Sequence, residues 1–191
     1  MVACLPLLGW AAALQVQVVD DKGKPVPDAV VFLESPEAAK ATKPLSGMEM
    51  AQKDKSFVPD TLVVTRGTAV QFPNRDTVRH HVYSFSPTKR FELKLYIGTP
   101  ANPVVFDQAG VAVLGCNIHD EMIGWIVVVD TPHHGSTGAN GQLRLNDVPE
   151  GNYRLRVWHS HMVVGAPALD VPQRVGANGA SASVTLKGLA P

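Results

Sequence analysis

Residues 115–124 read Gly-Cys-Asn-Ile-His-Asp-Glu-Met-Ile-Gly. Within this run Cys116, His119 and Met122 place a thiolate, an imidazole and a thioether on one short loop. Sulfur ligands of this kind select Cu(I) and other thiophilic ions, and two His with one Cys and a weak axial Met form copper sites that transfer electrons. The loop supplies only one His, so this interpretation requires a second His from elsewhere in the chain.

The second histidine has two candidates, His80 and His81, which lie in the segment Asp-Thr-Val-Arg-His-His-Val-Tyr-Ser-Phe, residues 76–85. In a strand, successive side chains point to opposite faces, so only one of the two can face a metal ion. His81 would share a face with Tyr83, and His80 with Val82. Alternation alone therefore leaves the choice of ligand open.

Composition restricts the classes of partner. The chain of 191 residues has 17 basic and 17 acidic side chains, and it forms no basic stripe of the kind that nucleic-acid binding requires. No apolar run approaches the roughly 18 residues of a membrane-spanning helix, so no transmembrane segment is predicted. The 15 Pro and 16 Gly fall between short Val-rich segments, which predicts many turns and an all-β chain.

Short strands recur along the chain without helical periodicity, which is typical of a β-sandwich. The predicted strands are residues 14–19, 29–33, 61–65, 68–72, 80–85, 91–95, 104–106, 111–114, 123–129, 141–145, 153–158 and 182–186. Cys116 follows one of these strands and Gly124 opens the next, so the loop ties its three ligands to adjacent strand ends. Gly115 and Gly124 are expected to give the backbone room to turn on either side.

The start of the chain is expected to be a signal peptide, residues 1–13, because it is apolar, uncharged and ends in three alanines. The usual positive charge is missing, which leaves a truncated start, a first core strand or lipoprotein processing at Cys4 as alternatives. Without this segment Cys116 is the only cysteine and cannot form an internal disulfide. An exported, periplasmic location is expected. Metal ligation would explain the presence of a single cysteine in an exported protein.

Residues 35–56 differ from the strand-rich regions on both sides. They are rich in Ala, Lys, Ser and Pro and show little periodicity. This composition is typical of connecting segments. The sequence therefore predicts a linker or long loop over residues 35–56.

From residue 57 to residue 131 the chain resembles the cupredoxins, and among them the amicyanin- and halocyanin-like small blue copper proteins. Those families carry Cys-x-x-His-x-x-Met-x-Gly before a hydrophobic strand, as this chain does from Cys116 onward. They also carry an Asn about six positions before the first ligand His, as Asn74 precedes His80. The resemblance implies a Greek-key β-sandwich. The copper ligands that it implies are His80, Cys116, His119 and, in the axial position, Met122.

Two residues depart from the cupredoxin pattern: His81 replaces an Asn after the first ligand, and Leu114 replaces an aromatic residue before the Cys. Hydrogen bonds around the ligands tune such a metal, so these departures bear on its reduction potential.

Two alternatives to a copper site stay open. Cys116 and Met122 would be ordinary core residues with His119 incidental, or the ion would be zinc, although structural zinc sites rarely use Met and usually carry more thiolates.

Further metal-binding residue types lie outside this motif. A second copper-loading site is one interpretation of those in the C-terminal third, and a polar linker and a strand end explain them equally well. These residues are His133, His134, His159, His161 and Met162. In the segment before residue 57, Met48 and Met50 suggest Cu(I) capture, for which ordinary loop sequence is the alternative.

The two ends of the chain share a second resemblance. Residues 14–33 are similar to the opening of carboxypeptidase regulatory-like β-sandwiches, and residues 140–158 match the later part of the same pattern. We therefore expect one small β-sandwich domain made of residues 14–34 with 132–191, interrupted by the cupredoxin module. The alternative is that residues 14–34 add strands to the cupredoxin. Such domains generally bind or scaffold, and the fold does not identify a substrate.

The expected function is that of a periplasmic mononuclear copper protein that transfers electrons between redox partners. No enzyme activity is expected, because such a site has no open position for a substrate. The sequence does not identify the redox partner, and a role in methylamine oxidation, which amicyanins serve, would rest on resemblance alone. The alternatives are a copper carrier or scavenger without redox turnover and a metal-free β-sandwich binding module.

Electrons are expected to pass through the edge of His119, which has Asp120 and Glu121 beside it. These acids would favour a basic patch on the partner, mainly by speeding encounter. Neutralising both acids and comparing transfer rates at low and high salt tests this expectation, which an unchanged salt dependence would remove.

Overall fold

The structure is a computed structural model that describes residues 12–190. The expected signal peptide, residues 1–13, lies outside the described residues except for Ala12 and Ala13, which open the first strand. Cys4 and the lipoprotein alternative lie outside them as well. No helix within residues 12–190 combines the length and the apolar character that crossing a membrane would require.

The described chain consists of strands and one short helix. In chain order these are β1 (Ala12–Asp20), β2 (Val30–Glu34), α1 (Pro36–Ala41), β3 (Met48–Glu49), β4 (Ala51–Lys53), β5 (Ser56–Val58), β6 (Thr61–Thr65), β7 (Thr68–Gln71), β8 (His80–Ser86), β9 (Lys89–Tyr96), β10 (Val104–Phe106), β11 (Gly110–Gly115), β12 (Ile123–Val129), β13 (His134–Ser136), β14 (Gln142–Val148), β15 (Gly151–Trp158), β16 (Leu169–Val175) and β17 (Ala180–Leu186). The expected all-β class is confirmed.

The chain divides into two compact units. The first, here called the flanking unit, comprises residues 12–35, 133–163 and 167–190 of the described chain. Its strands form one sheet in the order β14-β1-β17 and a second in the order β13-β2-β15-β16. Strand β1 buries Leu14, Val16 and Val18 and turns polar residues outward, so it covers one side of a core. Its identity as a carboxypeptidase regulatory-like domain stays a prediction.

The second unit, here called the site unit, comprises residues 36–132 with 164–166. Five of its strands form a sheet in the order β6-β12-β11-β8-β9, and three form a sheet in the order β10-β7-β3. Strand β12 runs antiparallel to β11 and parallel to β6. Strands β4 and β5 form a separate hairpin. The central position of β11 and β12 gives the loop between them a rigid base on both sides.

The core of the site unit is one cluster of buried apolar side chains. Its members are Met50, Phe57, Leu62, Val64, Val70, Phe72, Val82, Phe106, Ala112, Leu114, Cys116, Met122, Ile126 and Val128. Fully burying a large apolar side chain contributes about 1.5–3 kcal/mol each to folding, so this cluster stabilises the unit. Cys116 and Met122 belong to it, and the loop that carries them is therefore anchored in the core at both ends.

Residues 35–56, predicted as a linker or long loop, contain α1, β3, β4 and the start of β5. Met50 is fully buried in the core cluster and Met48 packs against it, so the segment is part of the folded unit. The strands here have only two or three residues. Hydrophobic periodicity needs a longer window to be recognised, which is why the sequence pattern missed them.

Candidate metal centre

Three metal-ligating side chains from distant positions in the sequence meet at one end of the site unit. His80, at the first residue of β8, Cys116, directly after β11, and His119, in the following loop, place one ligand atom each within 4.8 Å of one another. Within residues 12–190 this is the only group of three or more His, Cys, Asp or Glu residues with such spacing. The structure therefore contains a group that can hold a metal ion.

Both imidazole rings turn the same nitrogen toward the thiol. The Nδ1 atoms of His80 and His119 each lie 3.8 Å from Sγ of Cys116. The two rings are neighbours, with centroids 4.9 Å apart and planes tilted by 55°. Two ring nitrogens and one sulfur thus lie close enough together to bind one metal ion.

The sulfur-to-nitrogen distances can be compared with those expected around a bound metal ion. With metal–sulfur and metal–nitrogen bonds of about 2.3 and 2.0 Å, a planar arrangement at about 120° separates the two atoms by about 3.7 Å, and a tetrahedral one by about 3.5 Å. Both observed distances are 3.8 Å. Each spacing is thus compatible with a sulfur and a nitrogen bound to the same metal ion, in either arrangement.

Two of the three residues are buried and the third is partly exposed. His80 is fully buried and Cys116 is 4% exposed, whereas His119 is partly exposed. Cys116 is a free thiol in the described chain. Its sulfur is therefore shielded from water and from exchange with other thiols, and the edge of His119 is the part of the group that reaches solvent.

The loop between β11 and β12 is short and pinned at its ends. Gly115 pairs with Ile123 across the two strands, so the ligands occupy the turn that directly follows a regular ladder. Within the loop the Met122 N–H donates to the His119 carbonyl at 3.0 Å. This backbone bond fixes the relation between the two residues and leaves little freedom to the ligand positions.

The two glycines that flank the loop have a different role from the one expected. Neither Gly115 nor Gly124 has a positive φ, so neither is needed for a special turn conformation. A Cβ on Gly115 would lie 2.8 Å from the Tyr83 ring, and one on Gly124 would lie 2.9 Å from the Phe57 ring. The glycines allow aromatic rings to pack directly on the strand backbone beside the loop.

Met122 lies in the core cluster with Cys116 and is 1% exposed. Its burial beside the cysteine is compatible with both interpretations from the sequence, an axial thioether ligand and a core residue. Met50 and Met48 instead contribute to the core from the region of β3 and β4. Burial in the apolar cluster accounts for Met50 without Cu(I) capture.

The structure gives the two adjacent histidines different partners. The His80 ring joins Cys116 and His119, and its Nε2 lies 2.7 Å from an Asp76 carboxylate oxygen. His81 is also buried, but its Nε2 lies 2.9 Å from Glu92. Carboxylates only accept hydrogen bonds, so each imidazole donates through Nε2–H. In His80 Nδ1 is therefore the ring nitrogen that faces the thiol and could bind a metal ion.

Asp76 is itself held by the backbone. The Asp54 N–H donates to its Oδ1 at 2.7 Å and the Lys55 N–H to its Oδ2 at 3.0 Å. Burial alone would raise the pKa of the Asp76 carboxyl, but these two donors and His80 together lower the pKa below its usual range. The carboxylate therefore stays ionised beside His80.

Asn74, part of the motif that suggested His80 as the ligand, organises the same segment. Its Nδ2 donates to the Val78 and Tyr96 carbonyls, each at 2.9 Å, and its Oδ1 accepts the Asp76 N–H at 2.9 Å. Tyr96 stands opposite His80 in the β8–β9 ladder. Asn74 thus ties the turn before β8 to the neighbouring strand and sets the position of Asp76.

The remaining candidate ligands lie in the flanking unit and are engaged in hydrogen bonds there. His159 Nε2 lies 3.1 Å from the Pro27 carbonyl, and its Nδ1 accepts the His161 N–H at 3.1 Å. The Met162 sulfur accepts the His159 N–H at 3.4 Å, and the His161 Nδ1 lies 3.0 Å from the Ala190 carbonyl. This network explains these side chains as local structure.

His133 and His134 belong to no group of three ligands in the described chain. Burial lowers the pKa of both, and the charge of His133 lowers the pKa of His134 further. The ring of His133 packs edge-on against Tyr153. The second copper-loading site receives no support from these positions.

The sequence did not single out Asp76 or the turn formed by Asp54 and Lys55. Asp76 lies four residues before His80, and in a strand-rich region that spacing gives no reason to expect contact. The hydrogen bond arises because the chain curls between Asn74 and β8. An acidic residue shortly before a ligand histidine is the one signal that could have suggested it.

Comparisons with known proteins find only weak similarity, and only to solved structures. No family model matches the chain, and no curated protein matches it. Among solved structures it is similar to a purple cupredoxin from Nitrosopumilus maritimus at 21% identity, over 43% of this chain and 99% of that one, with a TM-score of 0.38. It is similar to a point mutant of amicyanin in the oxidised state at 22% identity, over 53% and 99% of the two chains, with a TM-score of 0.40.

A copper-containing nitrite reductase from Thermus scotoductus is a third similar structure. Its identity is 22% over 60% of this chain and 28% of that one, with a TM-score of 0.41. The chain therefore spans only about a quarter of this enzyme's length. At these scores the matches carry no functional inference, and the identity of the metal is inferred below from the types of the ligand residues.

Proposed function

We propose that the site unit binds one copper ion through His80, Cys116 and His119, with Met122 as a weak axial ligand, and carries single electrons between protein partners. The observation that carries this proposal is the convergence of two Nδ1 atoms on one buried sulfur, each at 3.8 Å. Copper bound by such ligands supplies a Cu(II)/Cu(I) couple, which exchanges one electron with a reduced and then with an oxidised partner.

The protein contributes a rigid and shielded site. His80 and Cys116 project from strand ends in the buried core, which excludes water and restricts movement of the ligands. His119 is the ligand with an exposed edge, and Asp120 and Glu121 beside it are exposed. We propose that a partner with a basic surface docks at this edge, since opposite charges speed encounter.

We propose that the protein is a carrier and not an enzyme. Catalytic metal sites keep a coordination position open for substrate or water. With Met122 as the fourth ligand, the proposed site would have no such position, and three of its four side chains are almost completely buried. Substrate turnover by the copper-loaded protein without a protein partner would contradict this part of the proposal.

An exported, periplasmic location is also proposed. Its support is the apolar, uncharged segment of residues 1–13 and its alanine-rich end. Expressing the chain and sequencing the N-terminus of the protein recovered from the periplasm tests the proposal. Retention of the intact protein in the cytoplasm would contradict it.

The first experiment adds one equivalent of Cu(II) to the purified protein and records the visible absorption spectrum. We expect an intense thiolate-to-copper charge-transfer band, because Sγ of Cys116 would be a direct ligand. The matched control is Cys116→Ser, which keeps the size of the side chain and removes the thiolate. The band should be absent from this variant, while its far-ultraviolet circular dichroism should match that of the wild type.

The other outcomes separate the alternatives. A spectrum that does not depend on Cys116 would contradict the proposed ligand set and favour a metal-free binding module. A Cys116-dependent site that binds Cu(I) tightly but exchanges electrons slowly in voltammetry would favour a copper carrier. Tighter binding of Zn(II) than of copper, with a tetrahedral spectrum after Co(II) substitution, would favour the zinc alternative.

A further inference from the structure

The hairpin of β4 and β5 presents two backbone N–H groups from its turn. Lys53 pairs with Ser56, so Asp54 and Lys55 form a two-residue turn. Their φ angles are 53° and 57°. Two successive residues in the left-handed region are what a type I′ hairpin turn requires. Both side chains are exposed, so the backbone of the turn makes the specific contacts.

These two N–H groups hold one carboxylate. Asp54 donates to Oδ1 of Asp76 at 2.7 Å, and Lys55 donates to Oδ2 at 3.0 Å. The same Oδ2 accepts Nε2–H of His80 at 2.7 Å. Hydrogen bonds to an ionised acceptor are roughly twice as strong as neutral ones. A continuous chain of contacts therefore runs from the turn through Asp76 to the imidazole of the proposed ligand.

This chain of contacts is well shielded at the imidazole end. The His80 side chain is fully buried and that of Asp76 is 11% exposed. A fixed negative charge acts more strongly here than at the surface, because less water screens it. A carboxylate that accepts Nε2–H fixes the ring orientation and makes the other ring nitrogen a stronger donor to a metal.

We propose that the turn of Asp54 and Lys55 acts through Asp76 as a positioning element for His80, raising the donor strength of its Nδ1 and favouring Cu(II) over Cu(I). This inference rests on the proposed function. Residues 35–56 thereby connect to the electronic properties of the centre, although none of them is a proposed ligand. Extra electron donation stabilises the more highly charged ion and so lowers the reduction potential.

The chain provides a matched control for the role of the carboxylate. Glu92 accepts Nε2–H of His81 at 2.9 Å, so it forms the same contact with the adjacent residue. Its side chain is 52% exposed, and His81 lies outside the group of converging ligands. Replacing Glu92 removes an equal charge from a nearby imidazole without touching the proposed ligand.

The experiment measures Cu(II) and Cu(I) binding constants and the reduction potential of the wild type, Asp76→Asn and Glu92→Gln. We expect Asp76→Asn to lower the Cu(II) binding constant by about tenfold, within the range found when outer hydrogen-bond partners of metal ligands are lost, and to change the Cu(I) constant little, so that their ratio also falls about tenfold. For a one-electron couple tenfold corresponds to about 59 mV of higher potential. Glu92→Gln should leave the ratio unchanged.

Variants of the turn test its part in the effect. A β-branched residue fits poorly at positive φ, so Lys55→Val should loosen the donors and shift the ratio in the same direction as Asp76→Asn, by less. The pair Asp54→Asn and Lys55→Gly suits a type I′ turn and keeps both N–H groups, so it should leave the ratio unchanged. If every turn variant had the wild-type ratio of Cu(II) to Cu(I) binding constants, the turn would have no part in positioning His80.

A measurement on the copper-free protein covers the case in which Asp76→Asn does not fold. Nitrogen-15 chemical shifts of the wild-type imidazoles report which nitrogen of His80 carries the proton. We expect protonated Nε2 and unprotonated Nδ1. A proton on Nδ1 would overturn the inference, as would an unchanged ratio in folded Asp76→Asn. A wild-type protein without a Cys116-dependent copper band would overturn the proposed function itself, which distinguishes the two failures.

Discussion

His80 and His81 are adjacent and both donate to a carboxylate through Nε2, yet their surroundings give them different chemistry. The Nδ1 of His80 lies 3.8 Å from Sγ of Cys116. The Nδ1 of His81 is buried and has no hydrogen-bond partner among residues 12–190. A histidine paired with a carboxylate is therefore not enough to make a ligand. What stands opposite the second ring nitrogen decides whether the residue can serve a metal.

The two carboxylates also differ. Asp76 is 11% exposed and accepts two backbone N–H groups, so its position is fixed. Glu92 extends from the edge strand β9 and is 52% exposed. A half-exposed carboxylate can change its rotamer, so it restricts the position of its histidine less than Asp76 does. The comparison indicates that backbone hydrogen bonds fix the carboxylate that orients His80, whereas His81 is held mainly by packing.

The largest expected effect comes from removing each ring in turn. His80→Gly should lower Cu(II) affinity by more than about 100-fold, since losing a ligand costs more than losing its outer hydrogen-bond partner. His81→Gly should leave the affinity unchanged. Equilibrium competition with a chelator of known affinity measures both variants.

The two glycine variants control for each other, because each creates a cavity of the same nominal size beside β8. Added imidazole should restore the charge-transfer band in His80→Gly by filling the vacant ligand position. Equal losses of copper in the two variants, or a larger loss in His81→Gly, would contradict the assignment of His80.

A smaller effect is expected from the two buried methionines of the core cluster, which extend the comparison beyond the histidines. Met122 and Met50 are 1% and 0% exposed, and only Met122 lies in the ligand loop. Replacement by Leu conserves volume and should cost each variant less than about 1.5 kcal/mol of unfolding free energy. Met122→Leu should also raise the reduction potential, because an axial thioether donates electron density to the metal.

Voltammetry of the two copper-loaded variants checks this prediction, with chemical denaturation of the copper-free proteins to compare stability. Met50→Leu should keep the wild-type potential. An equal shift of potential in both variants would mean that Met122 acts only as a core residue.

The sequence predicted for a physical reason that Cys116 and His119 lie close together, as they do in the structure. The spacing of Cys116, His119 and Met122 is local, and the strands on both sides have clear patterns. The predicted bounds of β12, residues 123–129, and of β10, residues 104–106, agree with the structure. Metal-binding residue types within one short loop between paired strands cannot move far apart, whatever the rest of the fold does.

Alternation could not choose between His80 and His81 because the ladder there is irregular. The register of β8 against β9 shifts between His80 and Val82. Irregularities of this kind re-aim side chains, and here both histidines are buried. The sequence did not show the support for His80 either, since it depends on the backbone of Asp54 and Lys55, in the turn between two strands too short to show a pattern.

The smallest expected effect concerns His81→Phe, which tests whether packing alone holds this residue. The His81 ring lies against Tyr83 with centroids 5.6 Å apart, and its Nδ1 has no hydrogen-bond partner in the part of the chain that the structure describes. Phenylalanine keeps an aromatic ring in this place and removes both the unpaired nitrogen and the donor to Glu92. Replacing polar partners by apolar groups of similar shape is often nearly neutral, so we expect unfolding free energy to change by no more than about 1 kcal/mol.

Glu92→Ala provides the contrast for this measurement. It leaves the buried His81 ring with no acceptor for Nε2–H, and it should therefore destabilise the copper-free protein by about 1–3 kcal/mol, more than His81→Phe does. Urea denaturation of both variants gives the two values, and the copper band should be unchanged in each. If His81→Phe instead lost the copper band while remaining folded, His81 would take part in the centre and the distinction between the two histidines would fail.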